Sequence, residues 1–189
     1  FLKTFTVASG LLTTGMGWSK PRQSNNTQLK PAKVRVGDVA AIVSPAGAVV
    51  STSDIDDAIA AVRRLGFIPK IGKNLGARWG YLGGRDTERL QDLHEAFADP
   101  TVKVVFPIRG GYGTSRLLPM LDFDMIRRNP KAFVGFSDNT SLVLSMNQFS
   151  NLVTFYGPNA LYDWTPYTQE NLRRVIMSSS PAGVFPFPT

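Results

Sequence analysis

The sequence predicts an α/β fold, a mainly parallel sheet flanked by helices, and three observations lead there. Short apolar runs recur along the chain, at Val39 to Val43, Phe67 to Ile71, Val102 to Ile108, Phe133 to Phe136 and Leu152 to Phe155. Segments with helical spacing separate them, which is the pattern of βαβ units. Several runs end directly in turns built from Gly, Ser or Pro, where a strand gives way to a loop.

Each element has a local reason. The run Val39 to Val43 reads as a buried strand closed by Ser44-Pro45. Ser53, with Asp56 three residues on, has the capping-box spacing and is expected to open a helix. Ile55, Ile59, Val62 and Leu65 line one face of that helix, and Gly66 ends it. Phe67 to Ile71 returns as a strand, followed by a glycine-rich loop from Gly72 to Gly84. A helix is expected from about Thr87 to Ala98, with Asp86 as its N-cap and Pro100 as its stop. Val102 to Ile108 is the third strand, running into Arg109-Gly110-Gly111-Tyr112-Gly113. A short helix, a segment from Asp124 to Asn129, the strand Phe133 to Phe136 and a helix from Thr140 to Gln148 follow. Leu152 to Phe155 reads as one more strand, ending at Tyr156-Gly157-Pro158, and Gln169 to Ser178 as a final helix.

Composition narrows the function. A chain of 189 residues with 43% hydrophobic and 19% charged residues suits one ordinary globular domain. It has no cysteine, so disulfide frameworks, thiol catalysis and cysteine-ligated zinc are excluded; with a single histidine, a multi-histidine metal site is excluded too. The net charge is +7, but Lys3, Lys20, Arg22, Lys30 and Lys33 supply five of those charges from a segment without acids. The remainder is nearly balanced, which argues against a groove for nucleic acid.

Residues 1–33 read as a leader and linker. The apolar stretch Phe5 to Met16 is too short and too weakly apolar to span a membrane. Phe1-Leu2-Lys3 resembles the end of a twin-arginine export motif, clipped before its arginine pair. The expectation is an exported, periplasmic protein; a weakly apolar tail on a cytoplasmic protein is the alternative. Residues 34–180 would form the α/β domain, and residues 181–189 the start of a linker.

In an open parallel sheet, functional groups collect beyond the carboxyl ends of the strands. Ser44-Pro45-Ala46-Gly47, Arg109 to Gly113 and Gly135-Phe136-Ser137-Asp138 all fall there. Ser137 sits at a strand-to-helix turn with Gly135 two residues before it, so its hydroxyl can project above the sheet. Asn139 stands where the familiar nucleophile elbow has its second glycine, and on spacing alone a helix cap at Ser137 or Asp138 is the commoner reading. Successive N–H groups of Gly110 to Thr114 can form an anion-binding nest, or simply a tight glycine turn. The glycines fall as G-G-x-G, which is not the dinucleotide pattern. His94, beside Leu90, Leu93 and Phe97 on a helix, reads as a structural histidine at the border of the packed face. Trp18, Trp79 and Trp164 read as packing or loop anchors.

Several of these segments together resemble the LD-carboxypeptidase family of serine peptidases, which also contains the microcin-immunity hydrolases. They are Val43-Ser44-Pro45, Gly80-Tyr81-Leu82-Gly83-Gly84, the stretch Asp92-Leu93-His94-Glu95-Ala96-Phe97-Ala98-Asp99-Pro100, Arg109-Gly110-Gly111-Tyr112-Gly113, Arg116-Leu117-Leu118-Pro119, Gly135-Phe136-Ser137-Asp138 and Gly157-Pro158. Order and spacing agree from about Val34 to Pro158. The resemblance implies that this is the amino-terminal domain of a two-domain peptidase, with Ser137 the nucleophile. It places the oxyanion hole at the backbone N–H groups of Asp138 and Gly111, with Gly110 the less favoured choice. In the family, a glutamate and a histidine from a separate carboxyl-terminal domain complete the triad. After Ser137 this chain has no histidine and a single glutamate, Glu170, so the piece is expected to lack useful peptidase activity by itself.

The reaction implied is hydrolysis of the L,D-amide to a terminal D-alanine in murein tetrapeptides, without metal or organic cofactor. Hydrolysis of peptidyl or aminoacyl nucleotide conjugates is the alternative within the family. A catalytically silent module that binds peptides or anions is the alternative outside it. The implied partners are a murein peptide and the missing carboxyl-terminal domain. The resemblance also leaves room for a homodimer, the assembly that family members often adopt.

Overall fold

The computed structural model describes residues 28–185; most of the segment expected to be leader and linker, and Trp18, lie outside those residues. The elements follow in the order β1 (Val39–Val43), α1 (Thr52–Arg64), β2 (Ile68–Ile71), α2 (Asp86–Ala98), β3 (Val102–Pro107), α3 (Phe123–Arg128), β4 (Ala132–Gly135), α4 (Thr140–Ser150), β5 (Phe155–Tyr156) and α5 (Pro166–Ile176). Three short 3-10 turns lie at Thr114–Arg116, Leu118–Met120 and Ser137–Asn139. The strands form one sheet in the order β2-β1-β3-β4-β5, every pair parallel. This is an α/β fold with β1 and β3 at its centre.

The side-chain period of two sorts each strand between two cores. Ala40, Ile42, Val104, Phe106, Ala132 and Val134 face α1 and α5, meeting Ala58, Ala61, Val62, Leu65, Leu172 and Ile176. Ala41, Val43, Val105 and Phe133 face α2, α3 and α4, meeting Leu93, Phe97, Ile126, Leu142 and Met146. Coverage on both faces explains why β1 and β4 read as unbroken apolar runs, while the edge strand β2 is largely exposed. Trp164 caps the first core edge-on to Phe106, with ring centroids 6.2 Å apart, and its indole N–H donates to the Ala160 carbonyl at 3.0 Å. It is a packing residue, as its isolation in the sequence suggested. Among the described residues, no helix is long and apolar enough to cross a membrane.

Several boundaries differ from the sequence reading. Helix α1 opens two residues early, with Ser51 as N-cap, because Asp54 and not Asp56 reaches back. Its carboxylate accepts the N–H groups of Val50 (2.7 Å) and Ser51 (3.2 Å). Both serine–aspartate pairs have the right spacing, and the position of the β1–α1 loop selects the first. Helix α2 begins at Asp86 itself, while Arg85 is the N-cap and its N–H is held by Glu88 at 2.6 Å. Asp86 is therefore free to pair with arginines, as described below.

Strand β5 is only Phe155–Tyr156, because the preceding apolar residues pair with a different partner. Leu29 bridges Leu152, with its N–H donating to Asn151 and its carbonyl accepting from Val153, both at 2.8 Å. Packed chain thus reaches at least back to Leu29, into the segment expected to be linker. At the other end, the Arg174 guanidinium donates to the carbonyls of Ala182 and Val184 and lies 5.3 Å over the Phe185 ring, tying residues 182–185 to α5.

Candidate active site

The loops after β1, β3, β4 and β5 meet beyond the carboxyl ends of the strands, and Ser137 stands among them. It follows β4 directly and opens the 3-10 turn that leads into α4. Its φ of +60° is a left-handed conformation that a non-glycine residue adopts at a cost of about 1–2 kcal/mol. The side chain is exposed, and among the described residues nothing hydrogen-bonds its hydroxyl. A strained, unpartnered serine at a strand-to-helix turn is the geometry of an exposed nucleophile.

What holds that conformation is polar and buried. The Asp138 carboxylate accepts the Thr114 backbone N–H at 3.0 Å, and the one Thr114 hydroxyl proton is shared between the Asp138 carbonyl at 2.7 Å and its carboxylate at 2.9 Å. Asn139 is fully buried and donates to the carbonyl of Arg109 and to Asn159 Oδ1, both at 3.1 Å. Asn159 Oδ1 also accepts the Phe136 N–H at 3.3 Å. These contacts clamp the elbow between the β3 and β5 loops. Asn139 takes the place of the usual second glycine, and Gly135 makes room for it: a Cβ on Gly135 would lie 3.1 Å from that of Asn139.

The glycine run packs against the serine with no space for side chains. A Cβ on Gly110 would stand 2.9 Å from the Ser137 Cβ and 3.0 Å from its Oγ. Gly111 has φ +132°, and a Cβ there would meet the Cα and N of Gly47 at 2.9 Å each. Gly47 in turn donates its N–H to the Gly110 carbonyl at 3.2 Å. Among the described residues the Gly111 N–H has no acceptor. The Asp138 N–H lies in the opening of a 3-10 turn, where N–H groups lack an acceptor within the turn. Gly111 lines the same cleft as Ser137, and Asp138 follows the serine directly.

Beneath these loops lies Arg89, the largest of the fully buried side chains. Its Nη1 donates to the carbonyls of Pro45 and of Gly113 (3.1 Å), joining the β1 loop to the β3 loop. Its Nη2 pairs with Asp86 at 2.5 Å, and Asp86 also takes a bidentate contact from Arg116, whose Nη2 approaches to 2.6 Å. Arg116 first, then Arg89, holds the Asp86 carboxyl below the usual carboxylate range. Trp79 lies under the Arg116 guanidinium, 5.9 Å from it, which makes it a loop anchor. The sequence reading assigned Asp86 to helix capping and overlooked Arg89, because nothing in a periodic apolar pattern marks which arginine is interior.

Ser137 opens into a cleft of about 430 Å³ lined by Val50, Asp54, Arg109, Gly110, Gly111, Phe136, Asn159 and Leu161. Phe136 is held edge-on between Tyr156 and Tyr162. Another cleft, of about 410 Å³, lies between β2 and α2, away from the serine. Four of its charges form the Lys70–Asp99 and Lys73–Glu95 pairs, and its remaining carboxylate, Asp92, accepts the Asn74 N–H and side-chain amide. His94 is placed elsewhere as well. Its Nε2 accepts the Asp122 N–H at 3.1 Å at the start of α3, and burial lowers its pKa. Glu170 is exposed on α5 and does not line the serine cleft.

Known proteins share this fold and its sequence motifs. Residues 40–157 match the family model described as the LD-carboxypeptidase N-terminal domain. A "Probable murein peptide carboxypeptidase" of Bacillus subtilis is 43% identical over 155 residues, covering 79% of this chain and 48% of the relative. The murein tetrapeptide carboxypeptidase of Pseudomonas aeruginosa is 34% identical over 140 residues, covering 74% of this chain and 44% of the relative. The crystal structure of an MccF-like protein from Bacillus anthracis superimposes with a TM-score of 0.75 at 33% identity, covering 79% of this chain and 47% of that one. The chain thus spans about half the length of the relatives it matches.

Proposed function

The chain belongs to the LD-carboxypeptidase family, an enzyme family, and from that premise we propose that it carries the nucleophile half of a serine carboxypeptidase. The observation that carries the reading is Ser137: left-handed, exposed and, among the described residues, without a hydrogen-bond partner, against glycines with no room for a Cβ. Ser137 Oγ attacks the carbonyl of the scissile amide. The Gly111 and Asp138 N–H groups hold the oxyanion of the tetrahedral intermediate, a contribution that elsewhere is worth about 3 kcal/mol per donor. The intermediate collapses with loss of the amine, leaving an acyl-serine that water then hydrolyses.

The general base is a histidine oriented by a glutamate, both supplied from beyond Thr189. His94 is committed to Asp122 and Glu170 lies off the cleft, which supports a source outside the described residues. A serine without its base is a weak nucleophile, so the 189-residue chain alone has no useful turnover. The substrate is the L,D-amide to a terminal D-alanine of a murein tetrapeptide, a choice supported by what the two bacterial relatives are said to act on. Export to the periplasm, where murein lies, is the compartment that fits this substrate and the leader of residues 1–33. The likeness to an MccF-like protein favours a second reading, hydrolysis of aminoacyl nucleotide conjugates by the same serine.

The coding sequence is read on to its stop codon, and D-alanine release from murein tetrapeptide is measured with the complete product. Release that Ser137→Ala abolishes, and that the 189-residue chain does not perform, is the expected result. Turnover that survives Ser137→Ala would remove the serine from the mechanism. A complete product that binds peptide without turnover would leave a silent binding module.

A further inference from the structure

Arg109 is the cation of the serine cleft, and no part of the reaction described above uses its side chain. It stands at the end of β3, immediately before Gly110, the glycine that packs on Ser137. Its Nη1 reaches the Ala48 carbonyl of the β1 loop at 3.1 Å, which fixes the guanidinium across the cleft. A guanidinium has five N–H donors, and among the described residues this is the one contact that its side chain makes. No carboxylate pairs with it, since the four ion pairs of the described residues involve other arginines and lysines. The acid in the same cleft, Asp54, is turned to its own helix start. One of its oxygens accepts the Val50 and Ser51 N–H groups, and the other accepts the Ser51 hydroxyl. The cleft therefore holds a half-buried guanidinium with unused donors beside the nucleophile; it helps to lower the Asp54 pKa from across the cleft, but no carboxylate hydrogen-bonds it.

We propose that Arg109 binds the free carboxylate of the amino acid that leaves when Ser137 is acylated, and thereby makes the site one for carboxyl-terminal residues rather than for internal bonds. The proposal rests on the reading of Ser137 as nucleophile. A terminal carboxylate lies within a few bonds of the scissile amide, so a cation on the rim next to the nucleophile has the reach to hold it. A bound carboxylate completes the guanidinium's hydrogen bonds. An internal peptide bond or a carboxyl-terminal amide brings a neutral group and leaves those donors without a charged partner, which builds specificity by exclusion.

A binding experiment tests this without turnover, so its failure is distinct from failure of the nucleophile assignment. Calorimetric titration of the complete coding-sequence product, carrying Ser137→Ala so that nothing is turned over, compares L-Lys-D-Ala, the same dipeptide as its carboxyl-terminal amide, and AMP. The acid is expected to bind on the order of 10- to 100-fold more tightly than the amide, the range of a hydrogen bond to a charged group. Arg109→Gln is expected to bring the ratio close to one, and Arg109→Lys to retain part of it, each variant checked for a native circular dichroism spectrum. Absence of any preference for the acid, including no detectable binding of either dipeptide, overturns the proposal. So does a preference that survives in folded Arg109→Gln. Tight AMP binding that depends on Arg109 while the acid is not preferred overturns the carboxylate assignment and gives the cation to a phosphate instead.

Discussion

Replacing Ser137 by glycine is expected to make the protein more stable while removing its nucleophile. Ser137 holds φ +60°, where the Cβ of an L-residue costs about 1–2 kcal/mol and glycine has no such penalty. Glycine in turn loosens the unfolded chain, which takes back about 0.4–1 kcal/mol. The hydroxyl contributes nothing to offset this, because among the described residues it has no hydrogen-bond partner. The midpoints of the two ranges leave a net gain of about 0.8 kcal/mol, or about 2–3 °C in Tm for a domain of this size. Ser137→Ala keeps the Cβ and its strain, so its Tm should match the parent within about 1 °C. Differential scanning calorimetry of the three proteins is the assay. A Ser137→Gly variant that melts lower than Ser137→Ala would refute the claim that the elbow stores backbone strain.

The glycine run gives a paired test. Gly111→Ala places a Cβ 2.9 Å from two backbone atoms of Gly47 at φ +132°, and should cost at least about 2 kcal/mol in urea melts; Gly37→Ala, at φ +89° with nothing within 4 Å, should cost about 1 kcal/mol. Arg89→Met leaves the Pro45 and Gly113 carbonyls and part of Asp86 unpaired in the interior, and is expected to lose about 3–5 kcal/mol. A loss below about 1 kcal/mol would mean that the loops hold themselves. His94 gives a pH test. Burial lowers its pKa, so the neutral form is the one the fold prefers. Its contribution is complete above about pH 6.5, its unfolded value, and is lost as pH falls through the lower folded value. Between pH 7 and 5 the parent should lose more Tm than His94→Gln, and parallel curves would contradict the Asp122 N–H to Nε2 contact.

Much of the architecture was legible because it rests on local chemistry. The apolar runs became β1 to β4 within a residue or so; the central strands are apolar because both faces are covered, while the edge strand β2 is largely exposed. Gly66 was read correctly as a helix end, and its φ of +95° is the left-handed cap that only glycine takes easily. Errors fell where two local solutions were equally good. Ser51 with Asp54 and Ser53 with Asp56 are interchangeable on paper, and Asp86 suits either a cap or an ion pair. Leu152 was read as strand from its apolarity, but Leu29, far away in sequence, pairs with it.

The candidate site divides in the same way. The sequence by itself determined the sheet, the glycine loop and the serine turn, because backbone angles and apolar burial are set residue by residue. It also determined the family, through several motifs in register. Only the tertiary structure decided which polar side chains serve the site. Asn139 and Asn159 clamp the elbow, Arg89 ties two loops from below, and Arg109 faces the cleft with most of its donors unused. Each of those roles depends on partners twenty or more residues away. A polar side chain has no period that reports its partner, and its role emerges only when the sheet brings separate loops to one end.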